Sequence, residues 1–452
     1  MNALDRFEMA LNHCLQNISP LRVGGTITEV TPAHYRVAGL SQFLKLGECV
    51  SFSVDGRQEI GEVVRIDESD ALVKPFEPRC DAGLGTIAYR TGPISLAPDA
   101  SWKGRAVNAL GVPIDGGPPL AMGERFQSVD SIPPAAMRRA RVNKPLRTGV
   151  RAVDCFVPLC AGQRIGVFAG SGVGKSTLLG MLARSRGFDT VVVALVGERG
   201  REVREFLEGP MKESRASAIM VISTGDESPM MRRLAPKTAM TIAEHFRDNG
   251  ESVLLIVDSV TRFAHAAREV ALAAGEPAVA RGYAPSVFTD LPKLLERAGP
   301  GEEGGGSITG IFSVLVDGDD HNDPVADSIR GTLDGHIVLD RAIADQGRYP
   351  AINILSSISR LASHVWTAEQ KFLVSKLRAM VARFEETRDL RLMGAYHAGA
   401  DAELDQAVAL VPRLYESMNQ APPTPPSQEP FRELAEALQP SKEPAQSNKT
   451  SA

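Results

Sequence analysis

The run Ile165-Gly-Val-Phe-Ala-Gly-Ser-Gly-Val-Gly-Lys175-Ser-Thr-Leu-Leu-Gly180 constrains this chain more than any other stretch. Ile165 to Phe168 are apolar enough for a short buried strand, and the leucines after Thr177 open a helix. Between them Gly170, Gly172 and Gly174 let backbone N–H groups converge on an anion, and the helix N-terminus adds partial positive charge. Strand, glycine-rich turn and helix in this order make a phosphate-binding loop. The match to G-x-x-x-x-G-K-[ST] is complete except at the first position, where Ala169 stands. The pattern assigns Gly170, Ser171, Gly172, Val173, Gly174, Lys175, Ser176 and Thr177 to nucleotide contact. Within it, Lys175 reaches the terminal phosphates and Ser176 supplies a hydroxyl for Mg2+.

Such a loop belongs in a parallel sheet wound with helices, and residues 97–365 have that pattern. Thr190 to Val196, Ala218 to Ile222, Val253 to Val257, Ile308 to Val316 and Ile352 to Leu355 are apolar runs between turns or polar helical stretches. They predict a mostly parallel sheet covered on both faces. Gly299 to Gly306 reads as a flexible loop between two of its elements. Residues 21–96 change to period two, with Val50, Phe52 and Val54 alternating with Ser51 and Ser53, and predict a small antiparallel β-barrel. Residues 366–420 are helical, with Leu373, Leu377, Met380 and Phe384 on one stripe. The expected fold is an α/β P-loop NTPase core with an N-terminal β-barrel and a C-terminal helical domain. At the ends, residues 1–20 predict an amphipathic helix through Leu4, Phe7, Leu11, Leu15 and Ile18 that docks a partner. Residues 421–452 predict a Pro-rich disordered tail, with a short helix possible from Phe431 to Leu438.

Hydrolysis of a nucleoside triphosphate needs a held Mg2+, an oriented water and positive charge on the γ-phosphate as the transition state forms. Asp258 ends the apolar strand that starts at Val253, which puts a carboxylate at the carboxyl edge of the sheet beside the loop. Glu198 follows the strand ending at Val196 and reaches the same edge, where it can accept a hydrogen bond from water.

Composition excludes other classes. The formal net charge of −5 argues against nucleic acid as the main partner. No apolar run approaches the roughly 20 residues that span a bilayer, and Asp5 and Glu8 stand where a secretory signal is basic and then apolar. A cytoplasmic protein is expected, reaching membranes only peripherally through partners. The five cysteines show no metal-ligand spacing and fit a reducing compartment. Asp317-Gly-Asp-Asp-His-Asn-Asp323 lacks the glycine and the glutamate of a calcium loop and reads as a solvated turn.

In order and wording, these residues resemble the catalytic subunits of the rotary and type III export hexameric ATPases, relatives of the ATP synthase β subunit. The likeness runs over about residues 20–420. It is carried by Gly197-Glu-Arg199, Asp258-Ser-Val-Thr-Arg-Phe-Ala264, Arg281-Gly-Tyr-Ala-Pro-Ser-Val-Phe288, Asp327-Ser-Ile-Arg-Gly-Thr-Leu-Asp-Gly-His336, Gly347-Arg-Tyr-Pro350 and Ser356-Ser-Ile-Ser-Arg360. The resemblance implies a RecA-like core that uses ATP and Mg2+, the ion being held by Ser176 and Asp258. It makes Glu198 the catalytic carboxylate with Arg199 close by, and it stacks Tyr349 on the base with Tyr415 as a second wall. It also implies that Arg360 is an arginine finger for the neighbouring subunit's site, so that one chain carrying both Glu198 and Arg360 forms a homohexamer. Within the family the wording is most similar to the flagellum-specific export ATPases, with virulence secretion ATPases as close relatives. The partners so implied are a stator or regulator protein at the N-terminal helix, the export gate, and export chaperones and substrates. The implied location is peripheral to the inner membrane at the flagellar export apparatus. The rival readings are the ATPase of a virulence type III system and a nucleic-acid translocase of the same fold.

Overall fold

The structure, a computed structural model, describes residue 4 and residues 22–316, 323–422 and 424–439. The amphipathic helix expected over residues 1–20 and the acidic stretch 317–323 lie outside the described residues, apart from Leu4 and Asp323.

Strands β1 (Gly24–Val30), β2 (Tyr35–Ala38), β3 (Cys49–Val54), β4 (Arg57–Ile66), β5 (Asp70–Pro75) and β6 (Ile87–Gly92) close a barrel in the order β1-β2-β5-β4-β3-β6. Period two turns Val50 and Phe52 inward to meet Ile27, Tyr35, Val37, Val63 and Val73. The barrel read from that alternation is present.

The central sheet contains β7 (Ala106–Val107), β8 (Arg164–Ala169), β9 (Thr190–Glu198), β10 (Ala218–Thr224), β11 (Ser252–Asp258), β12 (Ser307–Leu315), β13 (Gly335–Leu339) and β14 (Ile358–Ser359). Its order is β14-β13-β8-β12-β11-β9-β10-β7, and every neighbouring pair is parallel except β13 with β14. The unbroken apolar runs follow from two cores. Val192, Ala194 and Val196 pack on one face with residues of helices Pro229–Asp248 and Val260–Ala273, while Val191, Val193 and Leu195 pack on the other with helix Lys175–Ala183.

Two local expectations change. The strand expected over Ile352–Leu355 is reduced to a bridge between Ile352 and Leu339, because the Asn353 side chain accepts from the N–H groups of Leu355 and Ser356, both at 3.1 Å, and bends the chain into a turn. The glycine-rich stretch after Gly299 is a tight hairpin: Gly299–Pro300 pairs with β12, and Gly301 N–H donates to Gly306 O at 2.9 Å.

Helices Ala368–Glu386 and Ala402–Met418 pack together, burying Val374, Leu377 and Val381 on one and Ala407, Val411 and Leu414 on the other. The disordered tail expected from residue 421 is corrected over its described part. Gly149, with no Cβ, leaves room for Pro426, and Ser427 N–H donates to Gly149 O at 2.9 Å. Helix Pro430–Leu438 then buries Leu434, close to where the short helix was expected. A Pro-rich composition shows that a segment cannot build its own core. It carries no information about a groove already present elsewhere in the chain.

Candidate active site

Within the loop after β8, Gly172 and Gly174 take φ of 78° and 90°, the left-handed region in which glycine is unstrained. Val173 between them is buried and anchors the turn, and the leucines of helix Lys175–Ala183 hold its axis on the sheet. The loop lines a cavity of about 630 Å³ together with Gly197, Glu198, Arg199, Glu202, Arg262, Leu315 and Val316.

Three charged side chains meet here, Lys175 from the first turn of its helix and Glu198 and Asp258 from the ends of β9 and β11. Lys175 Nζ donates to Asp258 Oδ1 and lies 3.7 Å from Glu198 Oε1. Asp258 is 3% exposed, and its Oδ1 also accepts from Ser313 Oγ at 2.8 Å. Glu198 is aimed by a bulge: the register of β9 on β10 shifts between Val196 and Glu198, with Gly197 at φ 69°. Gly225 N–H fixes the turned strand by donating to Glu198 O at 3.0 Å. Burial pushes the Glu198 carboxyl up to about 7; Lys175 opposes the rise and the charge of Asp258 adds to it. A carboxylate that titrates near neutrality suits a group that must take a proton from water and release it.

Ser176 and Asp258 line one smaller cavity of about 180 Å³ with Glu198. A hydroxyl and a carboxylate are the hard oxygen donors that Mg2+ accepts when phosphate and water complete its shell, so these residues fit the ion.

The other sequence candidates separate. The Tyr349 ring lies over the loop, such that a Cβ on Gly174 would sit 3.4 Å from it. Asn419 Oδ1 accepts from Tyr349 N–H at 3.2 Å, and Gln420 N–H donates to Tyr349 O at 2.8 Å. Tyr415 is occupied elsewhere. Its ring carries the Arg348 guanidinium 3.4 Å from the centroid, its hydroxyl donates to Glu385, and it lines a different cavity of about 210 Å³ that includes neither Tyr349 nor any loop residue. The cavity adjoining the loop at Thr177, of about 400 Å³, is walled instead by Met181, Arg184, Pro210 and Pro422.

Arg199 precedes helix Gly200–Glu208 with its side chain 87% exposed, 3.8 Å from Glu202, at the rim of the cavity rather than against Glu198. Arg360 is exposed and stands at the other end of the sheet. Its N–H donates to Asp334 O at 2.9 Å, and Asp334 N–H donates to Arg164 O at 2.9 Å, where β8 begins. At 3.3 Å per residue, the length of β8 puts about 17 Å between that edge and the loop.

Sequence reasoning missed two residues of the site. The Arg262 stem packs against Gly197, where an added Cβ would come within 3.2 Å of it, and Arg262 lines the loop cavity. Its signal was spacing, one helical turn beyond Asp258. Ser313 was visible only as one of three hydroxyls, with Ser307 and Thr309, in an otherwise apolar strand.

Fold and site together define a P-loop ATP hydrolase. Residues 149–359 match the ATP synthase alpha/beta family, nucleotide-binding domain, and residues 366–439 match the T3SS EscN ATPase C-terminal domain. A flagellum-specific ATP synthase of Agrobacterium fabrum is 58% identical over 92% of this chain and 88% of its own length. The solved structure of the assembled ATPase EscN of the enteropathogenic E. coli type III secretion system superposes with a TM-score of 0.86 at 37% identity, covering 92% of this chain and all of that one. EscN in complex with its central stalk EscO gives 0.84 at 36% identity, with the same coverage. The chain belongs to the flagellum-specific ATP synthase family, the type III export branch of the ATP synthase alpha/beta ATPases.

Proposed function

We propose that this chain hydrolyses ATP with Mg2+ in a homohexameric ring and that the ring energises flagellar type III protein export. The observation that carries the reading is the separation of Lys175, Glu198 and Asp258, gathered at the carboxyl end of the sheet, from Arg360 at its amino end. An arginine that far from its own loop acts at a site on another copy.

The loop N–H groups and Lys175 bind the phosphates, and phosphate oxygens compete with Asp258 for the ammonium group. Asp258, so released, would hold Mg2+ with Ser176, and the ion would supply positive charge to offset that of the phosphates. Glu198 orients the attacking water and accepts its proton. Tyr349 stacks on the base. Arg360 of the preceding subunit meets the charge that develops on the transferred phosphoryl group. EscN is known with a central stalk, and an equivalent regulator fits a ring of this chain. A stator at residues 1–20, the export gate, chaperones and substrates are the further partners, and they hold the ring at the inner membrane. No helix among the described residues is long and apolar enough to cross a membrane. Flagellar rather than virulence export is supported by 58% identity to the flagellar relative against 43% to the SPI-2 type 3 secretion system ATPase of Salmonella typhimurium.

Mixing tests the ring. Arg360→Ala and Lys175→Ala chains are each expected to be inactive alone and to recover phosphate release when co-assembled, at interfaces where an intact finger faces an intact loop. Verified mixed rings with no recovery would overturn the arrangement. In cells, Glu198→Gln is expected to abolish swimming; normal motility would remove flagellar export from the reading.

A further inference from the structure

The stretch Ser356–Arg360 is pinned residue by residue to the core. His336 Nε2 lies 3.0 Å from Ser356 O. Ser357 Oγ donates to Asn353 O at 2.6 Å and accepts from Val338 N–H at 2.9 Å. Ser359 Oγ accepts from Gln163 Nε2 at 3.1 Å. Gly335 lets the strand come this close, because a Cβ there would meet Ile358 O at 2.4 Å. One further contact comes from the C-terminal helices. Arg378, on helix Ala368–Glu386, donates through Nη2 to Ser357 O at 3.1 Å and to Phe156 O at 2.8 Å. Phe156 ends the short helix Arg151–Phe156, so a single guanidinium joins the finger stretch, the nucleotide-binding core and the helical domain.

That contact is not what packing alone would select. The Arg378 Nε is buried with no acceptor, and burial draws the guanidinium below the usual arginine range. Backbone carbonyls are its acceptors, and a half-buried cation with no paired carboxylate among the described residues carries a desolvation cost that leucine or methionine would avoid. What arginine adds is a planar Nη2 whose two N–H bonds diverge at a fixed angle toward two carbonyls on two segments, which a lysine ammonium on a flexible stem does poorly.

We propose that Arg378 is a positioning residue for the arginine finger: by fixing Ser357 against the helical domain, it sets where Arg360 reaches in the neighbouring subunit's site. This rests on the ring reading above. The helical domain then governs catalysis on the next subunit, not on its own. Displacing helix Ala368–Glu386 pulls on Ser357 and moves the finger while leaving Lys175, Glu198 and Asp258 of the same chain in place.

The test uses full-length chains and the variants Arg378→Met and Arg378→Lys. A finger misplaced by about 1 Å lowers turnover by about 10²-fold, so Arg378→Met should lose between tenfold and a hundredfold in kcat. Its KM for ATP and its nucleotide affinity should stay unchanged, with Arg378→Lys intermediate. Co-assembly supplies a readout that a structural role would not move. Arg378→Met mixed with Lys175→Ala should regain activity above the mean of the two parents, because the second chain brings an intact finger to the first chain's intact loop. Arg378→Met mixed with Arg360→Ala should show no gain. If Arg378→Met does not fold, Arg378→Lys carries the same comparison. Failure of Arg360→Ala with Lys175→Ala to recover would bring down the ring reading itself. Recovery in that pair, with none in the Arg378 pair, would overturn the positioning role alone, as would a rise in KM with kcat unchanged.

Discussion

At the carboxyl end of the sheet, two carboxylates share one ammonium group, two glycines hold left-handed turns, and the backbone donors of the loop face a cavity. At the amino end, Ser356, Ser357, Ser359 and Arg360 each hold a fixed hydrogen-bond partner, and the exposed cation of this stretch is the Arg360 side chain. The first region has to exchange partners when phosphate arrives, whereas the second is held by fixed contacts. In the proposed ring, each end would complete a site begun on another copy.

The largest effects come from deleting the cation at either end, and they should differ in kind. Arg360→Ala is expected to lower turnover by about 10³-fold, the low end for an arginine finger, with nucleotide affinity retained. Lys175→Ala is expected to lose affinity as well as turnover. Fluorescent-nucleotide titration beside phosphate release separates the two, and equal loss of binding in both variants would erase the distinction between the ends.

Next in size is Glu198→Gln, expected to cost about 10²- to 10⁴-fold in kcat while ATP still binds, as removal of a general base does. Its pH dependence follows from burial, which raises the carboxyl from its ordinary 4.5 to about 7. In wild type, kcat/KM should climb as pH rises through about 7, since that profile reports groups of the free enzyme. Stability runs the other way. A raised folded-state value means that the contribution is full below pH 4.5 and is lost as pH rises through about 7. Glu198→Gln should therefore melt higher than wild type at pH 8, with the gap closing below pH 5. An equal gap at both values would contradict the burial of an ionised Glu198.

How much of this was legible in the sequence differs between the ends for a physical reason. Lys175, Glu198 and Asp258 each follow an apolar strand, and parallel pairing forces strand ends of one sense to one edge, so order along the chain sufficed. The role proposed for Arg360 came only from likeness to a family, because an exposed arginine just past an edge strand has no local signature. Contacts made by side chains from distant segments were not legible at all. Arg378 reads as one of several cations on an amphipathic helix, Arg262 as the exposed face of another, and Tyr415 as a free aromatic until Arg348 and Glu385 are seen to engage it. The tail at Pro426 failed for the same reason, since its groove is made by Gly149 far upstream.

The aromatic pair gives a smaller test. Removing a ring that stacks on a base forfeits about 1–3 kcal/mol, so Tyr349→Ala should raise the KM for ATP by about tenfold. Tyr415→Phe keeps its ring under Arg348 and loses only the bond to Glu385, so KM should not move. A shift in KM for Tyr415→Phe as large as that for Tyr349→Ala would return Tyr415 to the base pocket.

The smallest expected effect lies at Ser313, where the exchanging end borrows a device from the fixed end. Asp258 Oδ1 accepts from both Lys175 and Ser313. Of these two contacts the one from Ser313 would persist once phosphate has taken Lys175, so in the proposed mechanism Ser313 would hold the carboxylate in place for Mg2+. Ser313→Ala removes one buried hydrogen bond of about 1 kcal/mol, which corresponds to roughly a fivefold rise in the Mg2+ concentration for half-maximal turnover. Nucleotide affinity measured without Mg2+ should be unaffected, because Lys175 and the loop are untouched. A loss of metal-free nucleotide binding in Ser313→Ala would mean that Asp258 positions Lys175 for phosphate rather than itself for the ion.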